Sequence, residues 1–220
     1  MSNILIVSPH MDDETIGAGG TLLKYKEQGH RAYWLNIANT KEEYGYDAAI
    51  VAARARQWES VRSAYKFDGV LDLGLRPAHL DRYSTGEALA LISAYMEEVK
   101  PDILIAPFAG DIHSDHGQVW SWLRPFTKAF RYPSVKTILA MEILSETDFA
   151  VGEPRFSPDW FVDITGQLER KIEIAGLYEG EIPESGFPRS AENVRALAQL
   201  RGSVAGVKYA EAFKLLRHID

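Results

Sequence analysis

Two kinds of hydrophobic pattern alternate along this chain. In one, nearly every position of a short run is apolar, often β-branched; in the other, apolar residues recur every three or four positions over a longer stretch. The first kind predicts strands at Ile4–Ser8, Arg31–Ile37, Gly69–Leu73 and Ile103–Pro107. The second predicts helices at Thr15–Gln28, Ala48–Phe67 and Glu87–Val99, each with a glycine or proline near its end. A helix near Gly117–Phe130, a strand at Thr137–Ile143 and a strand at Trp160–Ile164 follow. Helices near Gly166–Tyr178 and Ala191–Val204 close the pattern. Strand and helix in strict alternation argue an α/β fold in three layers, a mostly parallel sheet with helices on both faces.

Composition narrows this picture. At 220 residues the chain suits one domain over 1–220, long enough to bury a sizeable core without disulfides or metals as staples. The best loop candidate is Glu179–Ser190, and too little sequence follows it for a second domain. The net charge of −7 argues against a broad nucleic-acid or anionic-membrane surface. Cysteine is absent, which excludes disulfides, thiolate metal sites and cysteine nucleophiles. The opening MSNILIVSPH has no basic segment before its short apolar run, so it reads as a strand, not a signal peptide. No run approaches the ~18 apolar residues of a membrane span. A cytoplasmic protein is the default expectation.

The chemistry gathers in two polar clusters. PHMDDETIGAGG, residues 9–20, ends the first strand, and GDIHSDHG, Gly110–Gly117, follows the strand that carries ILIAPF. In the common strand order 3-2-1-4-5, strands one and four are neighbours flanking the crevice where ligands bind. The two clusters are therefore predicted to face each other. Together they hold His10, His113 and His116 with Asp12, Asp13, Asp111 and Asp115. Either cluster alone is more often a helix cap or a solvated loop than a metal site. Side by side, histidines and carboxylates without sulfur form a ligand set for a catalytic zinc or a similar divalent ion. The GAGG stretch resembles half of a dinucleotide fingerprint. Here, however, acids occupy the turn that the fingerprint fills with glycine, and no acid ends strand two. Gly17, Gly19 and Gly20 are better read as allowing close packing.

These residues resemble a known family. PHMDDETIGAGG is similar to the (P/A)HPDDE signature of the PIG-L/LmbE-like de-N-acetylases, and HSDH to their HPDH motif. RGSVAGVKYAEAF resembles a further element of the family, so the similarity runs from residue 4 to about residue 217. The resemblance implies a Rossmann-like fold and a zinc-dependent hydrolase that removes the N-acetyl group from glucosamine-type sugars or their conjugates, releasing acetate. It implies that His10, Asp13 and His116 hold the metal, zinc or another divalent ion such as Fe2+. Asp12 then matches the general base, His113 the oxyanion-stabilising residue, and Asp115 the carboxylate that orients the histidine pair. Glu14 reads as a helix-terminus acid behind the ligands.

NTKEEYG resembles a segment in which Glu43 matches a contact to sugar hydroxyls, and Arg56 of RQWE matches an arginine that reaches the substrate. Tyr44 and Tyr46 in the same loop offer aromatic faces to a sugar ring. Departures from the family pattern are Met11 and Ser114 in place of prolines, Glu42 in place of glycine, and Pro77-Ala78 where relatives often have Asp-Gly. Two competing readings are a metal-stabilised sugar or nucleotide binder and a metal-dependent phosphoesterase. The first would not explain a spare carboxylate and a spare histidine beside the ligands; the second would favour two metals with a bridging carboxylate and basic phosphate contacts. The implied partner is a small-molecule amino sugar, and a homo-oligomer is left open.

Overall fold

A computed structural model describes residues 1–152, 154–181 and 186–220. Seven strands form one sheet: β1 (Asn3–Ser8), β2 (Arg31–Ala38), β3 (Gly69–Leu75), β4 (Ile103–Pro107), β5 (Thr137–Met141), β6 (Trp160–Asp163) and β7 (Ala210–Arg217). Their order is β3-β2-β1-β4-β5-β7-β6. The first five run parallel, with Ile4 of β1 paired to Ala32 of β2 on one side and to Ile103 of β4 on the other. β7 is antiparallel to both β5 and β6. The order therefore reverses between β1 and β4, as predicted.

Among the described residues, six α-helices cover the sheet: α1 (Asp13–Glu27), α2 (Ala48–Tyr65), α3 (Thr85–Val99), α4 (Ser114–Leu123), α5 (Leu168–Ala175) and α6 (Ala191–Ala205). Alternation along β1 assigns the layers, because successive strand side chains point to opposite faces. Ile4 and Ile6 join Trp34, Ile105 and Leu139 under residues of α1, α2, α5 and α6. Leu5 and Val7 join Leu35, Ile37 and Leu104 under α3 and α4. Burial on both faces is why these strands read as continuous apolar runs.

The predicted elements all exist, with shifted ends. α4 starts three residues early because His113 caps it, its ring Nδ1 accepting the Asp115 N–H at 3.1 Å. It stops at Leu123, where Arg124–Thr127 with Pro125 tightens into a 3-10 turn. The one strand the pattern does not predict is β7. Glu211 interrupts its apolar run, yet points inward. Its carboxylate accepts from the Gly20 and Thr21 N–H groups at 2.8 and 2.7 Å and from Lys171 Nζ at 2.7 Å. Of the predicted loop Glu179–Ser190, Glu179–Glu181 and Gly186–Ser190 form turns, and 182–185 lie outside the described residues. Among the described residues no helix is long and apolar enough to cross a membrane.

Candidate metal centre and cleft

The two polar clusters meet where β1 and β4 end side by side. The loop after β1 delivers His10 and Asp12, and α1 begins at Asp13. His10 and Asp13, three apart, converge: the His10 N–H donates to Asp13 Oδ2 at 2.9 Å, and His10 Nδ1 lies 3.5 Å from the same oxygen. From the other strand end, His116 Nε2 comes within 3.4 Å of Asp13 Oδ2. The three rings of His10, His113 and His116 are mutual neighbours, with centroids 4.5 to 5.6 Å apart. One nitrogen from each lies within 4.8 Å of the others.

Hydrogen-bond partners fix which ring atoms remain free. His10 Nε2 donates to Asp115 Oδ2 at 2.9 Å, leaving Nδ1 as the lone-pair atom of a neutral ring. His116 Nδ1 donates to Asp111 Oδ2 at 2.8 Å, leaving Nε2; Asp111 is itself held by Thr147 Oγ1 at 2.7 Å. In His113, Nδ1 accepts from the Asp115 N–H, so the proton of a neutral ring sits on Nε2. Asp115 thus touches two histidines, His10 through its carboxylate and His113 through its backbone. The Ala78 N–H donates to the same Asp115 oxygen at 2.7 Å. Ala78 sits at φ 57, the left-handed region that glycine favours, so the Pro77-Ala78 departure keeps a glycine-like backbone while offering no side-chain polar group.

Electrostatics mark the centre as a place for a cation. Burial pulls His10 and His116 down. The carboxylates around them nevertheless push His10 up to about 9 and His116 up to about 10. Burial would raise Asp13, but His116 and His10 hold it well below the usual carboxylate range. Asp13 Oδ1 and His116 Nε2 are nonetheless buried without a hydrogen-bond partner. Two unpartnered buried atoms at the meeting point of His10, Asp13 and His116 fit a divalent ion that takes the place of the ring protons, with Asp115 and Asp111 gripping the far nitrogens of both rings. His113 is the other histidine of the cluster, and burial together with its two charged neighbours lowers it. The neutral ring so favoured is the form in which a histidine either donates an N–H or ligates a cation.

Asp12 stands apart from that grip. It caps α1 at φ 123, a strained conformation for a residue other than glycine, and its N–H is held by Glu14 Oε2 at 3.1 Å. Glu14, fully buried, also accepts from Thr15 and from Tyr178 at 2.6 Å. Burial raises the Asp12 carboxyl to about 8, against the opposing pull of Arg189. Its Oδ1 has no partner among the described residues.

A cleft of about 310 Å³ opens beside the centre, lined by His10, Asp12, His113, Asn39, Thr40, Tyr46, Arg54, Pro77, Ala78, Glu146, Glu181 and Arg189, among others. Of the expected substrate contacts, neither Glu43 nor Arg56 lines it. Glu43 is 65% exposed and paired with Lys41, and Arg56 is exposed on α2. Tyr46 from the same loop and Arg54 from the same helix do reach the cleft. Tyr44 turns away to donate to the Gly74 carbonyl at 3.0 Å. Sequence reasoning passed over Arg189 and Glu146, which lie in irregular segments with no periodic or motif signal.

Comparison with known proteins adds an independent finding. The family model described as PIG-L: GlcNAc-PI de-N-acetylase matches residues 5–124. A diacetylchitobiose deacetylase of Thermococcus kodakarensis is 23% identical over 98% of this chain and 84% of its own. The 1D-myo-inositol 2-acetamido-2-deoxy-alpha-D-glucopyranoside deacetylase of Rhodococcus erythropolis is 25% identical over 98% of this chain and 79% of its own. Among solved structures, a conserved protein of Thermus thermophilus superposes with a TM-score of 0.80. That match has 21% identity and covers all of this chain and 97% of the other.

Proposed function

Because the chain belongs to the PIG-L family, we propose that it is a metal-dependent de-N-acetylase that hydrolyses the acetamido group of an N-acetyl amino sugar or conjugate. The observation that carries this reading is the set of unpartnered buried atoms at one end of the cleft. Asp13 Oδ1 and His116 Nε2 belong to a cation site, and Asp12 Oδ1 is a spare carboxylate oxygen beside it. A binding protein has no use for that third atom. A phosphoesterase needs free cations for phosphate, whereas Arg54 is bonded to Glu181 and Arg189 to Asp12 and Glu146.

His10, Asp13 and His116 would hold a divalent ion of the class that imidazole and carboxylate suit, zinc or Fe2+, and zinc there would lower the pKa of a bound water from ~15.7 toward ~7 and polarise a carbonyl. Asp12 accepts the proton of the attacking water at Oδ1 and returns it to the leaving amine. The His113 Nε2–H donates to the acetyl oxygen as negative charge develops there. Asp115 orients both rings, through its carboxylate on His10 and its backbone N–H on His113. In this reading the sugar lies against Tyr46, Asn39 and Thr40. The contacts expected of Glu43 and Arg56 pass to Tyr46 and Arg54.

Asp12→Asn is the direct test. Asparagine is nearly isosteric but a poor proton acceptor, so zinc content should persist while acetate release from N,N′-diacetylchitobiose falls ~10²–10⁴-fold. Full activity in this variant would remove Asp12 from the reaction.

A further inference from the structure

We infer that Arg189 is a positioning residue that presents Asp12 to the attacking water with one oxygen tied and the other free. The inference rests on Asp12 being the proton acceptor. Arg189 approaches from 177 residues away in sequence, and its guanidinium makes three bonds, one from each nitrogen. Nη1 donates to Asp12 Oδ2 at 2.6 Å, Nε to Ser145 Oγ at 2.7 Å and Nη2 to Glu146 Oε1 at 3.1 Å. Its side chain is 17% exposed, at the floor of the cleft it lines.

What this does for Asp12 follows from the geometry. Rotation of an aspartate carboxylate about its last bond is soft and nearly two-fold. Left alone, either oxygen of Asp12 would face the water, with Asp13 and Glu14 repelling it from the two following positions. No other side-chain partner of the Asp12 carboxylate occurs among the described residues. The bond to Oδ2 therefore selects Oδ1 as the proton-accepting atom, and the positive charge offsets the neighbouring carboxylates. Lysine would supply the charge but not the fork, because a single ammonium nitrogen cannot reach Ser145, Glu146 and Asp12 as three separate guanidinium nitrogens do. Glu14 holds the Asp12 backbone and Arg189 holds its side chain, so this strained residue is fixed at both ends.

The experiment compares wild type, Arg189→Ala and Arg189→Lys on N,N′-diacetylchitobiose, with zinc content measured on each. For Arg189→Ala, kcat should fall on the order of 10²-fold, the cost of a misplaced catalytic group, while KM and zinc content stay near wild type. Added guanidinium should restore much of the lost kcat to Arg189→Ala and none to wild type. Arg189→Lys should recover only part of the activity. Unchanged kcat in Arg189→Ala overturns the inference, as does a loss that comes with zinc loss and resists guanidinium. A wild-type protein that releases no acetate from this or related N-acetylated amino sugars overturns the functional reading and this inference with it. An active wild type with an unaffected Arg189→Ala overturns this inference alone.

Discussion

Both proposed histidine ligands use both ring nitrogens. His10 gives Nε2 to Asp115 and His116 gives Nδ1 to Asp111, so each carboxylate fixes the tautomer that leaves a lone pair toward Asp13. Asp111→Asn keeps the shape and an acceptor oxygen but removes the charge that makes His116 a strong donor. Removing such a partner typically weakens metal affinity ~10–100-fold. Competition against a chelator should therefore show zinc held that much less tightly, and unchanged affinity would take Asp111 out of the centre. At this scale, legibility followed sequence contiguity. His10, Asp12 and Asp13 form one motif and His113, Asp115 and His116 another; their types and strand-end positions predicted that the two clusters meet, and the family resemblance supplied the expected role of each residue. Arg189 was invisible because its role exists only through a contact across 177 residues. Of the two arginines Arg54 and Arg56, the one that lines the cleft is Arg54, a choice of helix face that the pattern of α2 does not decide.

The glycines of α1 show how an element is shaped by what presses on it. A glycine inside a helix costs about 1 kcal/mol relative to alanine, yet residues 17, 19 and 20 are all glycine. A Cβ on Gly17 would lie 2.7 Å from Met141 Sδ, and one on Gly20 would lie 2.8 Å from Cγ2 of Ile164, a fully buried side chain. Close approach of α1 to the sheet brings Asp12 and Asp13 to the strand ends. The same approach lets the Glu211–Lys171 pair, buried between β7 and α5, reach the helix backbone. Gly20→Ala should thus destabilise by ~1–3 kcal/mol from overpacking, despite its better helix propensity. Urea unfolding measures this, and a variant as stable as wild type would contradict the packing account. Here too the partial legibility has a physical cause. Tight packing was foreseen from the glycines, but β7 was hidden because its buried carboxylate looks like a surface residue until Lys171 and the Gly20 and Thr21 N–H groups are placed around it.

Across the whole molecule, the chemistry depends on one topological fact, the reversal of strand order between β1 and β4. Two polar segments a hundred residues apart become neighbours there, and the strand ends supply a rigid base for both. That fact was readable from the alternation of strands and helices, because a three-layer parallel sheet has few permitted orders. The antiparallel edge of β7 and β6 was not readable, and it carries little of the site. Without cysteine, a metal centre in this chain would be built from imidazole and carboxylate. The most direct measurement is acetate release from N,N′-diacetylchitobiose by protein stripped with a chelator and titrated with zinc. The account predicts no release from the stripped protein, then a rise to a plateau at one zinc per chain, with free amine formed in equal amount. Undiminished release after stripping, or no release from this or related N-acetylated amino sugars at any zinc loading, would contradict it.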